Sequence, residues 1–177
     1  MHLFHFSEDP DIQSFIPRPR PARPIPNRPD QESLVWAINE WHSPMYFFPR
    51  ECPRLLLWPV ESTTRTDVAE WMGSNPPRMI AYIEQGWVDR FESCVLYRYT
   101  FDSESFESLD DAGMYVSSNT VQPIDIQRVG WLRETMGNAS VELRTVDSLQ
   151  DVAHAVQATL HCSAIRSKNA AEWNPPS

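Results

Sequence analysis

Two stretches of the chain carry side chains whose types and spacing could do chemistry. The first is His2-Leu3-Phe4-His5-Phe6-Ser7, with an imidazole and a hydroxyl two residues apart on an apolar run. Residues two apart on a strand share a face, so His5 and Ser7 point the same way. The second is the segment 34–48, where Glu40, His42 and Tyr46 fall within seven residues among Trp36, Trp41, Phe47 and Phe48. Apolar walls with a few oriented donors and acceptors are what a small-molecule pocket needs. His5 suits a ligand hydrogen bond or proton transfer near neutral pH. The competing reading is a core histidine satisfied by a backbone carbonyl, as buried polar groups usually are.

If residues 40–42 are extended, Glu40 and His42 share a side and can act as acid and base. With His5 they would also make a metal set of two His and one carboxylate. No helical HExxH spacing supports that set, and Glu40 reads equally well as a carboxylate capping the turn at Ser43 or facing solvent. We predict no metal site. Tyr46 belongs to an aromatic triplet too large to bury whole, so at least one of its rings should line a cleft. Arg98 alternates with Tyr97 and Tyr99 and faces away from both. If its side is covered, it needs an acid or an anionic ligand. Arg50 and Arg54 are expected to pair with Glu51 or Glu61 at the surface. No Gly-x-Ser-x-Gly elbow, Walker loop or dinucleotide-binding glycine pattern occurs, and Cys52 lacks an organised His–acid partner.

These residues need elements to hold them. Residues 2–6 and 34–38 read as strands. Ser43-Pro44 opens a short helix that Pro49 stops. The apolar run at 54–60 reads as a buried strand, and residues 66–72 as a capped helix ended by Gly73. Residues 77–91 carry Ile80, Ile83, Trp87, Val88 and Phe91 at helical spacing, with Pro77 in the first turn. Strands are expected at 94–101, 114–117, 123–129 and 141–146. Residues 148–163 read as the best helix, with Leu149, Val152, Ala153, Val156 and Leu160 on one stripe. About seven short strands and three or four helices, without strict alternation, predict an α+β domain with small mixed or antiparallel sheets. That domain is expected to span residues 1–170, with a frayed tail at 171–177. Residues 17–29 alternate Pro with Arg and read as polyproline II or loop, unable to form a ladder. They could connect, or act as a lid offering Arg18, Arg20 or Arg23 to an anion.

Composition narrows the partners. The 177-residue chain has net charge −9 and seven Trp, sixteen Pro and five Gly. Residues 1–60 hold seven acids against six bases, and the remainder seventeen against nine. Phosphate backbones require clustered Lys and Arg, so nucleic acid is excluded as a partner. Three scattered cysteines without CxxC spacing fit a reducing cytoplasm rather than a disulfide or zinc framework. No apolar run approaches the roughly 20 residues of a membrane span.

Several motifs resemble a known family. They are Leu3-Phe4-His5-Phe6-Ser7, Leu34-Val35-Trp36-Ala37 with Tyr46 nine residues on, and Gly113-Met114-Tyr115-Val116-Ser117 followed by Val121-Gln122-Pro123. Val141-Glu142-Leu143-Arg144 and the segment 165–170 extend the likeness. Together they resemble the DUF6886 family of small proteins over nearly the whole chain, a likeness that implies no activity. More distantly, the order of His5, Tyr46 and the segment 113–117 resembles the ADP-ribosyltransferase-like fold. That resemblance implies that His5 holds a ribose hydroxyl, that Tyr46 stacks on a nicotinamide-like ring, and that NAD is the ligand to try first. It also places Met114 where those enzymes carry a catalytic Glu. A thioether cannot stabilise an oxocarbenium-like transition state, so another acid (Glu84, Asp110 or Asp111) must substitute, or the chemistry differs, or the domain only binds.

The expectation is a small-molecule pocket with His5, Tyr46 and Glu40 as its chemical groups, and Ser7, Trp36, His42, Arg98 and Met114 as further contacts. Its ligand would be a nucleotide-like, NAD-type or other small polar metabolite. A catalytically inactive binding module and a small-molecule lyase or isomerase are the alternatives.

Overall fold

The computed structural model describes residues 1–19 and 33–176, and shows an α+β protein. Its strands are β1 (His2–Ser7), β2 (Arg18–Pro19), β3 (Ser33–Ile38), β4 (Arg54–Trp58), β5 (Met79–Glu84), β6 (Leu96–Asp102), β7 (Glu107–Ser108), β8 (Met114–Ser117), β9 (Asp125–Val129), β10 (Val141–Val146) and β11 (His161–Ile165). The α-helices are α1 (Arg65–Asp67), α2 (Val88–Ser93) and α3 (Leu132–Asn138). The strands form a seven-stranded and a four-stranded sheet. The chain divides into two compact units, Met1–Tyr46 with Val95–Val129, and Phe47–Cys94 with Gly130–Ser177. Among the described residues, no helix is long and apolar enough to cross a membrane.

In the first unit the strand order is β7-β8-β3-β1-β6-β9, every pair antiparallel. Alternation sorts its side chains onto two faces. Leu3, Val35, Ala37, Tyr99 and Phe101 make one apolar face, over which Phe15 lies. The Phe15 ring stands edge-on to Tyr99, Phe101 and His5, with centroids 5.1, 5.0 and 4.9 Å away. The Tyr99 hydroxyl donates to the Asp9 carbonyl at 2.5 Å and accepts from the Ile12 amide at 3.2 Å. These bonds tie the segment after β1 across this face, and burial pushes the phenol's pKa up. The opposite face carries Phe4, Phe6, Ile38, Arg98, Thr100 and Met114, as the pairings Phe4↔Thr100, Phe6↔Arg98, Phe4↔Ile38 and Ile38↔Met114 require.

The expectation that residues 17–29 form no ladder fails at its start, because Arg18 and Pro19 pair with Leu34 and Ser33. Proline lacks a donor, which suits so short a piece at a strand margin. Arg20 and Arg23, and with them most of the lid reading, lie outside the described residues.

In the second unit the order is β10-β5-β4-β11, with β10 and β5 parallel and the other pairs antiparallel. Leu55, Leu56 and Leu57 on β4, and Ile80, Ala81 and Ile83 on β5, are all 0% exposed, so both faces of the central strands are covered. That burial explains one correction. Residues 77–91 are not one helix: the run 79–84 is a strand, and helix begins only beyond it. A short apolar run matches a buried strand and a buried helix equally, and here an interior sheet position decides it.

The second correction concerns residues 148–163. The capping box at Ser148 and Asp151 forms, but it starts a 3₁₀ helix, Leu149–Gln157, and residues 161–165 pair with β4. Three residues per turn align Leu149, Val152, Ala155 and Ala158, and all four meet the core containing Leu57, Trp71 and Leu160. Val156, assigned to the stripe by a 3.6-residue period, is instead 38% exposed. Helix α1 is capped by Thr64 and runs into a π turn, Val68–Met72, closed by Gly73 at φ +79°. Helix α3, absent from the expected elements, buries Leu132 and Met136 one turn apart. The tail also makes contacts: Asn174 and Gln150 exchange hydrogen bonds of 2.6 and 3.1 Å, and Trp173 packs on the same core.

Arg54, expected at the surface, is instead buried. It is 3% exposed, lies over the Phe48 ring at 5.0 Å and donates to the Cys52 carbonyl at 3.0 Å. Arg50 does approach Glu51, at 3.8 Å. The Asn169 side-chain amide donates to the Glu51 backbone carbonyl at 2.8 Å and to its carboxylate at 3.0 Å; the second bond, with Arg166 at 3.7 Å, holds that carboxyl below its usual range.

Burial of Cys52 and Cys162 pushes their thiols up to about 12 and about 11 respectively. The unfolded chain ionises its thiols near pH 8.5, as an order of magnitude. Above that pH the unfolded state loses protons that the folded state keeps, so stability falls as pH rises. Chemical denaturation at stepwise higher pH between roughly 8.5 and 11 should show a falling midpoint. Replacing both cysteines by alanine should flatten that slope; an unchanged slope would refute the assignment to these thiols.

Candidate functional site

The candidate site grows from an irregularity in the larger sheet. On one edge of β3, β8 pairs continuously from Val35 opposite Ser117 to Ile38 opposite Met114. On the other edge β1 meets β3 at one position, Phe4 opposite Ile38, and β2 meets it only at Leu34 and Ser33. Between these pairings the Trp36 carbonyl receives a side chain: His5 Nδ1 lies 3.0 Å from it. A carbonyl can only accept, so Nδ1 is the donor of this bond.

Where β1 and β3 are so sparsely paired, the surface opens into a hollow of about 70 Å³. Phe4, His5 and Phe6 line it from β1, and Trp36, Ala37 and Ile38 from β3. Met114 at the start of β8 and Tyr46 at the end of the 3₁₀ turn Ser43–Tyr46 complete the lining. Tyr46 is half-buried, unlike Pro44 and Met45 beside it. Four of the sequence-predicted residues, His5, Trp36, Tyr46 and Met114, thus come together from three separated segments. His5 also retains the features of the core reading, a carbonyl partner and an aromatic neighbour, Phe15.

A second, open groove of about 720 Å³ shares Phe4 with the hollow. It is lined by Asn39, Glu40 and Trp41 from the turn after β3, by His2, Arg98 and Thr100, and by Asp125. Glu40 is exposed here, and its backbone carbonyl rather than its carboxylate holds the turn, accepting from the Ser43 hydroxyl at 2.9 Å. The Arg98 guanidinium lies over the Phe4 ring at 4.9 Å and donates to Gln127 Oε1 at 2.5 Å.

The remaining expected contacts sit elsewhere. Ser7 lines neither hollow; its hydroxyl accepts from the Asp9 amide at 3.1 Å and shapes the end of β1. His42 is drawn into the turn after β3, where Asn39 Oδ1 accepts from the His42 amide at 3.0 Å and lies 2.9 Å from its Nδ1. Among the described residues no three His, Cys, Asp or Glu side chains gather as a metal site would need. Two of the three acids considered as substitutes at Met114 are engaged in bonds of their own. Glu84 accepts from the amides of Leu149 and Ala171, and Asp110 accepts from the Ser108 hydroxyl at 2.9 Å.

Sequence reading gave Asn39 and Gly113 no role in the site. The Asn39 amide donates to the Gly113 carbonyl at 2.9 Å, which joins the turn after β3 to the start of β8. Gly113 has φ +68°, and a Cβ there would lie 2.2 Å from His42 Nδ1. A Gly one residue before an aromatic strand, following Asp110, Asp111 and Ala112, was the available signal.

Neither a curated protein nor a solved structure matches the chain. The ADP-ribosyltransferase-like resemblance therefore has no match behind it. The model of a family of unknown function, DUF6886, matches residues 4–170, and with nearly the whole chain covered this protein belongs to that family.

Proposed function

We propose that the protein binds a small polar metabolite of nucleotide type, with a planar group in the hollow at β1 and β3 and its polar remainder in the adjoining groove. The carrying observation is the convergence of His5, Trp36, Tyr46 and Met114 on one hollow. Its size limits what enters. A cavity of about 150 Å³ takes benzene and water occupies about 30 Å³ of liquid, so a 70 Å³ hollow takes the edge of a ring rather than a whole one. The rest of such a ligand needs the larger groove, which Phe4 connects to the hollow. A nicotinamide edge with its ribose phosphates outside meets these dimensions, so NAD remains the first ligand to test. His5 and Tyr46 would orient the planar group, and Arg98, Asn39 and Glu40 would meet the polar remainder.

Binding is the primary reading, because Met114 stands in the lining and the eight lining residues include no carboxylate. A catalytic version would draw its acid from Glu40 in the groove, with His5 moving the proton. In calorimetric titrations of nicotinamide and NAD, His5→Ala should lower affinity at least about tenfold, as loss of a buried polar contact does. It should lower stability by only ~1–3 kcal/mol through the stranded Trp36 carbonyl. Unchanged affinity in a folded variant would sink the pocket reading. NAD hydrolysis that falls with both His5→Ala and Glu40→Gln would favour the catalytic version.

A further inference from the structure

We infer that Arg98 is an oxyanion anchor, and that the groove around it takes a phosphate ester bearing hydroxyl groups, such as a sugar phosphate. The inference rests on the small-molecule reading of this face and adds a second subsite with its own chemistry. A guanidinium offers five N–H donors. Among the described residues those of Arg98 meet one hydrogen-bond acceptor, Gln127 Oε1, while its Nε is buried with none. Among the described residues no carboxylate lies within 4.0 Å of it, the limit for an ion pair. Arg98 is nonetheless half-buried and spread over Phe4 on a strand next to β1. Covering a cation without pairing it is unfavourable, and an oxyanion arriving from the groove would offset that cost. The planar fork matches phosphate or carboxylate geometry, and the aromatic ring beneath keeps it flat and pre-ordered.

The other charged groups define the rest of the ligand. Glu40 and Asp125 line the same groove, with His2 and the chain's first residue at its margin. Two carboxylates repel a bare polyanion but accept hydrogen bonds from hydroxyls. One oxyanion near Arg98, with a hydroxyl-bearing frame toward Glu40 and Asp125, satisfies both signs. Phe4 then contributes twice, as the platform for Arg98 and as a wall of the hollow.

The test is an NMR titration of the full chain with ribose 5-phosphate, ribose and ribonate. Ribose 5-phosphate should bind at least about tenfold more tightly than ribose, through charge-assisted bonds. Raising salt from about 50 to about 500 mM should weaken it. Arg98→Met, which keeps apolar cover on Phe4, should abolish the preference over ribose, and Arg98→Lys should restore part of it. His5→Ala should leave the preference intact, which separates this subsite from the hollow. Ribonate matching ribose 5-phosphate would overturn the phosphate assignment in favour of a carboxylate ligand. Equal affinity for ribose and ribose 5-phosphate, no binding of either, or a preference surviving Arg98→Met would overturn the anchor itself. Should Arg98→Met fail to fold, the salt dependence and Arg98→Lys still decide.

Discussion

Gly113→Val should lower the melting temperature by about 5–15 °C and weaken any ligand of the site. The backbone there stands at φ +68°, a region that suits glycine and is worst for β-branched side chains. Forcing an L side chain into it costs about 1–2 kcal/mol. Space is the larger difficulty. A Cβ would sit 2.2 Å from His42 Nδ1 and 2.5 Å from Asn39 Oδ1, well inside contact. Those two groups cannot swing away freely, because Asn39 Oδ1 accepts from the His42 amide while the Asn39 amide holds the Gly113 carbonyl. Overpacking of this kind adds about 1–3 kcal/mol. The sum, ~2–5 kcal/mol, corresponds to the stated shift for a chain of this size. Met114 follows directly and lines the hollow, and Asn39 lines the groove, so binding should fall together with stability. Differential scanning calorimetry checks it. A melting temperature within a degree of the parent's would mean the close approach does not exist. Gly113→Ala should shift it in the same direction by less.

Glu84→Ala should be comparably severe in the other unit. Glu84 ends β5 with 6% of its surface exposed. One carboxylate oxygen accepts from the Leu149 amide at 3.1 Å and the Ala171 amide at 3.0 Å, and the other from the Ala171 amide at 3.1 Å. This single side chain therefore fastens the start of the 3₁₀ helix and the tail to the end of an interior strand. Removing it strands two amides, each costing about 1–3 kcal/mol when unsatisfied. The expected loss is ~2–5 kcal/mol, a large part of the 5–15 kcal/mol by which domains typically exceed unfolding. Glu84→Gln keeps an acceptor and should lose roughly half as much. Hydrogen exchange gives a local readout: the Leu149 and Ala171 amides should exchange faster in Glu84→Gln even where the global midpoint barely moves. Unaltered protection at both would show that the carboxylate does not hold them.

Legibility from sequence followed the range of the forces involved. Strands with strong alternation were readable: residues 114–117 and 141–146 form strands within the expected bounds, and residues 34–38 lie within β3. So was the stop at Gly73, because a terminating glycine acts within one turn. Elements chosen by their surroundings were not. Met79–Glu84 became a strand because two neighbours flank it in the sheet, not because of its own period. The run 149–157 follows a three-residue period that local pattern cannot separate from 3.6 over two turns.

The candidate site divides in the same way. Sequence by itself marked His5 and Tyr46 as polar groups among apolar residues such as Trp36, and Arg98 as a cation needing an explanation; Met114 was marked only through the fold resemblance. It also determined the α+β class and the acidic balance, both of which depend on composition and short-range pattern. Tertiary structure alone decided that β1 and β3 pair sparsely, that His5 bonds to the Trp36 carbonyl, and that Phe4 joins a narrow hollow to a broad groove. It also withdrew Ser7 and His42 into local turns. The reason is physical: alternation tells which face a side chain takes, but pairing between segments thirty or more residues apart decides where strands separate and what the separation exposes.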